Sequence, residues 1–156
     1  MLGFHPEGIA LSAAILLPNI LFLFFPPREA PAAQPGGLAA FVVLERIGQA
    51  ACAVLPTLFG WQAAGAQSIA ALAGMALALA LYWACWARYF ARGRAFRLLF
   101  APFLRIPLPM AAAPVAYFAF AALGMGSWWF AAAVAAFAAG HIYESRRTEK
   151  ACRAGG

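Results

Sequence analysis

The sequence predicts an all-α, polytopic membrane protein: a bundle of about five transmembrane helices with its N-terminus outside and its C-terminus in the cytoplasm. Three observations support this prediction. Of the 156 residues, 65% are hydrophobic and only 10% are charged, and the mean hydropathy is +0.80. The apolar residues form long runs rather than the short alternating segments of a membrane β-barrel. Lysine and arginine residues cluster in alternate connections between those runs.

Polar residues are too few to cover the surface of a soluble domain. Such a domain ordinarily contains about 25% charged residues, so lipid is the expected solvent for most of this chain. Helices are the expected element because they satisfy every backbone hydrogen bond within one segment. We attribute the net charge of +6 to cytoplasmic loops, and nucleic acid is not an expected partner.

Five apolar runs approach the roughly 20 residues needed to cross a bilayer. The predicted spans are residues 5–25, 38–59, 64–90, 106–123 and 127–143. They form one domain, followed at 144–156 by a polar, basic cytoplasmic tail that we expect to be frayed or disordered. We expect the first span to be a retained helix rather than a cleaved signal, because no basic residue precedes it.

The positive charges determine the predicted orientation. The first loop, the third loop and the tail contain lysine or arginine, whereas the N-terminal segment and the second and fourth loops contain none. Because basic residues collect on the cytoplasmic side, the C-terminal tail is expected there. The predicted location is a bacterial cytoplasmic (inner) membrane, which the chain crosses several times.

The third loop is expected to lie in the membrane interface. Its arginines are interleaved with phenylalanine and leucine, a pattern that places guanidinium groups among lipid headgroups. Anionic lipids at the cytoplasmic face are therefore expected partners of the whole segment. The predicted headgroup contacts are Arg92, Arg94, Arg97 and Arg105.

The most informative polar residues are Glu45 and Arg46, inside the second span. A charge within hydrocarbon costs about 3 kcal/mol or more unless it is paired or hydrated. Glu45 lies roughly 10 Å from the cytoplasmic end of its helix at 1.5 Å per residue. Asn19 and His141 are expected in the same half of the bilayer, with Gln49 deeper. These five residues are the predicted polar site.

Several roles for this polar site remain open. Glu45 can act as a structural link bonded to Asn19 or His141, while Arg46 extends to the headgroups. The predicted function is non-enzymatic binding of a small ligand or a partner protein. The alternative is a small-molecule or proton-coupled transporter with Glu45 as the proton-binding group. A membrane-embedded enzyme is less well supported, since Glu45 with His141 is its one candidate acid–base pair.

No catalytic residue, metal site or cofactor is predicted. The three cysteines lack the spacing of a metal site or disulfide framework. Small residues recur every four positions, a pattern that allows helix backbones to approach closely. They are Ala70, Gly74 and Ala78 in the third span and Ala132, Ala136 and Gly140 in the fifth. A homo-oligomer or a larger membrane partner is an additional expectation, whereas the ligand is not identified.

Overall fold

The apolar runs form helices throughout the computed structural model, which describes residues 2–29 and 37–154. Within these residues there are five α-helices, two short 3₁₀ helices and no β-strand. The α-helices are α1 (Glu7–Phe24), α2 (Ala39–Val54), α3 (Gly65–Ala91), α4 (Pro109–Met125) and α5 (Trp128–Ala154). The all-α prediction is confirmed for this part of the chain, and each helix begins within one turn of its predicted start.

Among the described residues, three helical segments are long and apolar enough to cross a membrane. They are Glu7–Phe24, Ala39–Thr57 and Gly65–Ala91, the second of which includes the 3₁₀ helix Leu55–Thr57. Helix α4 is apolar but has only 17 residues. The structure therefore supports a membrane protein with three candidate spans, whereas five crossings and their orientation stay predictions.

The polar segment from residue 144 onward is helical, so the expectation of a frayed tail is wrong. Helix α5 continues to Ala154. Two ion pairs join residues one turn apart: Glu144 with Arg147 at 2.7 Å and Glu149 with Arg153 at 2.6 Å. Pairs at this spacing stabilise a helix, and two hydroxyl side chains in the same segment are buried against the rest of the protein. Residues 155–156 lie outside the described residues.

One end of the bundle brings together the N-terminal segment, the turn after α2 and the turn between α4 and α5. The backbone N–H of His5 donates to the carbonyl of Thr57 at 2.8 Å, and that of Gln62 donates to Gly124 at 2.9 Å. The turns at this end carry no lysine or arginine.

All 11 lysine and arginine residues lie toward the other end, which we call the basic end. It comprises residues 25–29, 37–46, 88–108 and 141–154. The N–H of Arg28 donates to the carbonyl of Arg94 at 3.3 Å, which joins the first loop to the third. The rings of Phe41 and Tyr143 stack with centroids 4.2 Å apart. The fold thus gathers in one place the charges that the positive-inside rule assigns to one side of a membrane.

Helices α2 and α5 pack with their backbones almost in contact. A Cβ added at Gly48 would overlap the backbone of Phe137, and one added at Gly140 would overlap the backbone of Glu45. Only glycine permits this approach, so the predicted close-packing face of α5 is confirmed at Gly140.

A proline in α1 leaves one backbone carbonyl without its helical donor, and a side chain of α3 donates a hydrogen bond to it. Pro18 has no N–H, so the carbonyl of Ala14 loses its helical donor. The indole N–H of Trp83 donates to that oxygen at 3.1 Å. The Ser12 hydroxyl of α1 also donates to the carbonyl of Ala53 at 2.8 Å. Side-chain bonds to backbone therefore fix α1 against both α2 and α3.

We expect Trp83→Phe to lower the free energy of unfolding by about 1 kcal/mol, the net value of one hydrogen bond. In a Pro18→Ala background the new N–H at position 18 can bond Ala14, and the cost of Trp83→Phe should fall close to zero. A double-mutant cycle of denaturant unfolding in detergent micelles measures both values. Equal costs in the two backgrounds would show that the indole bond does not replace the missing helical one.

Candidate functional site

A hydrogen bond between α2 and α5 joins two of the predicted site residues. The Nδ1 atom of His141 lies 2.7 Å from Oε1 of Glu45, and the side chains are 24% and 21% exposed. An ionised carboxylate can only accept, so Nδ1 is the donor to ionised Glu45, and Nε2 takes no part in this bond. The ring of Phe137 stacks on the imidazole with centroids 4.8 Å apart. Of the two partners predicted for Glu45, the structure selects His141.

The close backbone packing explains how this bond forms. Gly140 immediately precedes His141, and Gly48 follows Glu45 by about one helical turn. Because neither glycine has a side chain to separate the helices, the carboxylate and the imidazole reach hydrogen-bonding distance. The glycine contacts and the polar pair therefore form one structural unit.

Asn19 belongs to a different hydrogen bond. The hydroxyl of Tyr82 on α3 donates to its Oδ1 atom at 3.0 Å. Gln49 is largely exposed, and part of its side chain borders a small cavity together with Asn19 and His141. Four of the five predicted residues, namely Glu45, His141, Asn19 and Gln49, are thus brought to one region, although they are not all bonded to one another.

Arg46 is separated from the other predicted site residues. Its side chain is exposed, and it has no hydrogen bond or ion pair with any residue in 2–29 or 37–154. Neighbouring residues on a helix do not face the same way, so Glu45 faces α5 while Arg46 is turned away. This exposure is compatible with the expected extension of Arg46 toward the headgroups.

Two adjoining cavities meet at a shared polar wall formed by Asn19, Tyr82 and His141. The outer cavity, next to the third loop, has a volume of about 200 Å³. The inner cavity has a volume of about 60 Å³. The remaining lining of the outer cavity is Phe22, Trp86, Leu99, Phe100, Met110, Ala111 and Ser145. The remaining lining of the inner cavity is Ile15, Leu16, Gln49, Ala53, Pro114, Phe118 and Phe137.

Trp86 and Ser145 add two further side chains with polar atoms to the lining of the outer cavity. The indole of Trp86 packs edge-on against the ring of Tyr82 with centroids 6.2 Å apart, and its Nε1 atom is buried. Ser145 lies one turn after His141, yet no hydrogen bond links these two described side chains. The arrangement is a Glu–His pair rather than a nucleophile–base–acid triad.

The third loop closes one side of the outer cavity and is held in place by Arg88. Leu99 and Phe100 of this loop form part of the cavity wall. The Arg88 guanidinium, at the end of α3, lies 4.8 Å from the ring centroid of Phe103. It also donates at 2.8–2.9 Å to three loop carbonyls, those of Leu98, Ala101 and Pro102. Charged donors make the stronger hydrogen bonds, so Arg88 positions this wall.

The four arginines predicted to contact lipid headgroups all lie at the basic end. Arg92, Arg97 and Arg105 are exposed, whereas Arg94 is half-buried with its guanidinium 5.9 Å from the ring centroid of Phe25. Arg94 and Arg105 have φ angles of 60° and 63°, a left-handed conformation that costs an L-residue roughly 1–2 kcal/mol. Their contact with lipid stays a prediction.

Sequence reasoning missed Tyr82, Trp86 and Ser145 as parts of the site. Tyr82 and Trp86 are four residues apart on α3, so they share one helix face. Ser145 has the same spacing from His141 on α5. Within residues 2–29 and 37–154, no three histidine, cysteine, aspartate or glutamate side chains come together as metal ligands would.

No protein-family model matches this chain, and the comparisons with curated proteins and with solved structures found no match. The interpretation of the site therefore depends on its own geometry. The cavities and the polar side chains that line them are the features that bear on function.

Proposed function

We propose that this chain is a non-enzymatic membrane protein that binds a small ligand in the outer cavity. The observation that carries the proposal is the polar wall of Asn19, Tyr82 and His141 shared by two adjoining cavities. Ligand sites are typically apolar cavities with a few convergent polar groups.

The dimensions and lining of the outer cavity favour a small amphiphile. Its volume of about 200 Å³ is below the roughly 300–1,000 Å³ typical of sites for drug-sized molecules. Phe22 and Phe100 provide an apolar surface for the body of such a ligand. A polar head would lie against the shared polar wall, near the ring of His141.

In this proposal Glu45 positions His141 and does not contact the ligand. The carboxylate is hydrogen-bonded to Nδ1 of the imidazole, which fixes the tautomer and the ring orientation. Nε2 is then the ring nitrogen available to a molecule in either cavity.

Filling the outer cavity should remove the ligand. Ala111 is buried and lines this cavity, so we expect Ala111→Leu to occupy the ligand's space. Native mass spectrometry of protein released gently from membranes should detect a bound small molecule on the wild type and at least a tenfold lower occupancy on the variant. The matched control is Ala135→Leu, an exposed α5 position outside this cavity, which should retain the ligand. Equal occupancy in all three proteins, or none in the wild type, would contradict the proposal.

Proton-coupled transport is a second candidate, favoured by direct contact between two protonatable side chains. The pair of Glu45 and His141 adjoins the cavities through the imidazole. A transporter reconstituted in proteoliposomes should move protons with its substrate, and Glu45→Gln should abolish this flux. A protein that only binds the substrate should bind it in the same proteoliposomes without any proton flux.

The proposed arrangement in the membrane follows from the charges. We infer five crossings with the basic end in the cytoplasm, in a bacterial inner membrane. Support comes from the three candidate spans, from the basic residues gathered at one end and from the rule that such residues stay in the cytoplasm. We also propose that anionic lipids bind at the basic end. The chain would associate with a second copy of itself or with a larger membrane protein.

A further inference from the structure

A groove of about 600 Å³ runs along α5 at the basic end, away from the Glu45–His141 pair. Its wall changes from apolar to basic within four helical turns. The apolar part consists of Ala138, Ala139 and Ile142. Tyr143 follows, and beyond it lie the basic residues Arg146, Arg147 and Lys150. An apolar surface that is followed by a tyrosine and then by clustered positive charges is typical of a boundary between hydrocarbon and headgroups.

The positive charge in this groove is not neutralised by the described part of the protein. Arg146 and Lys150 are exposed, stand four residues apart, and have no ion pair or hydrogen bond with residues 2–29 or 37–154. Like charges at this spacing destabilise a helix. Arg147 pairs with Glu144 through Nη2 and is therefore partly neutralised. A bound anion would relieve the repulsion between Arg146 and Lys150.

The depth of these residues matches that of a lipid phosphate. Tyr143 stacks on Phe41, so it lies level with the beginning of α2, a helix that forms one of the candidate spans. At 1.5 Å per residue, Arg146 is about 4.5 Å and Lys150 about 10 Å beyond that level. The interfacial headgroup layer extends roughly 5–7 Å outside the hydrocarbon core, so Arg146 lies within it and the long side chain of Lys150 can reach back to it.

We propose that the α5 groove binds one anionic phospholipid, with its phosphate between Arg146 and Lys150. An acyl chain lies along the apolar wall at Ala139 and Ile142, and Tyr143 marks the level of the ester groups. The site differs from the predicted contacts of the third loop, because its cations stand on one regular helix beside an apolar groove.

The experiment tests separately the headgroup charge of the lipid and the basic residues of the groove. The purified protein in detergent is mixed with phosphatidylglycerol or with phosphatidylcholine of identical acyl chains, and bound lipid is counted by native mass spectrometry. We expect one tightly bound phosphatidylglycerol and at least tenfold weaker phosphatidylcholine. The double variant Arg146→Gln/Lys150→Gln should bind phosphatidylglycerol roughly 10- to 30-fold more weakly, since each basic residue contributes about 1 kcal/mol. The control Arg28→Gln/Arg153→Gln removes the same charge from exposed positions of the basic end outside this groove and should bind as the wild type does.

Three results would overturn the proposal. One is equal weakening by the control Arg28→Gln/Arg153→Gln, which would show attraction by net charge alone. The second is equal binding of both lipids by the wild type. The third is competition by glycerol 1-phosphate at the concentration of the lipid, because a free phosphate would then suffice without the apolar groove. The lipid comparison and this competition use wild-type protein, so the test holds even where the double variant fails to fold.

Discussion

Gly140→Leu is expected to separate α2 from α5 and to lower the free energy of unfolding by about 3 kcal/mol, the upper part of the range for overpacking. The glycine faces the backbone of Phe41 and Glu45, with no space for a Cβ. Backbone atoms cannot move aside as a flexible side chain can, so the helices themselves must shift. The same shift lengthens the 2.7 Å contact between Glu45 and His141, and the polar pair should be lost with the packing.

Thermal unfolding in detergent micelles measures this effect. A loss of 3 kcal/mol corresponds to a fall in Tm of roughly 10 °C for a chain of this length. Ala135→Leu is the matched control, because it adds a leucine to an exposed position of the same helix and should change stability by less than about 0.5 kcal/mol. Similar Tm values for the two variants would mean that α2 and α5 are not in backbone contact at Gly140.

Replacing Glu45 or His141 by leucine should reveal a coupling free energy of about 1.5 kcal/mol, the lower end of the range for hydrogen bonds that involve a charged group. We choose this value because both side chains remain about one-quarter exposed and solvent screens the interaction. Each single variant leaves the other polar group unpaired at the helix interface. The double variant removes both, so its cost should be clearly smaller than the sum of the single costs.

Denaturant unfolding of the wild type, the two single variants and the double variant gives the coupling free energy directly. Arg46→Leu provides the control, since Arg46 is exposed and unpaired among the described residues. It should change stability by less than about 0.5 kcal/mol and show no coupling to His141→Leu. Additive effects of Glu45→Leu and His141→Leu would exclude the hydrogen bond as a source of stability.

The helices could be predicted from the sequence because their signals are local. Long apolar runs bounded by proline and glycine define where α1 to α4 begin and end. The extension of α5 to Ala154 was missed for a physical reason. A charged segment after an apolar run suggests a solvated tail, whereas here its acidic residues pair one turn onward with Arg147 and Arg153.

The candidate site was only partly predictable. The position of each residue along its helix predicts that Glu45, His141 and Asn19 lie in one half of the bundle. The structure places all three near the cavities. Depth alone does not determine which way a side chain faces, so Arg46 was grouped with residues from which it is turned away. The roles of Tyr82 and Trp86 depend on contacts between α1 and α3, and no pattern within a single helix reports such contacts.

The proposed site depends on the hydrogen bond between His141 and Glu45 at the cavity wall, and ¹⁵N NMR of the histidine ring detects that bond. The chain has two histidines, so a His5→Gln background leaves the His141 ring as the single source of signal. We expect a protonated, hydrogen-bonded Nδ1 whose signal changes on Glu45→Gln, and an Nε2 signal that differs between gently extracted wild type and Ala111→Leu. An Nδ1 without a proton, or an Nε2 signal unaffected by filling the outer cavity, would contradict the proposed site.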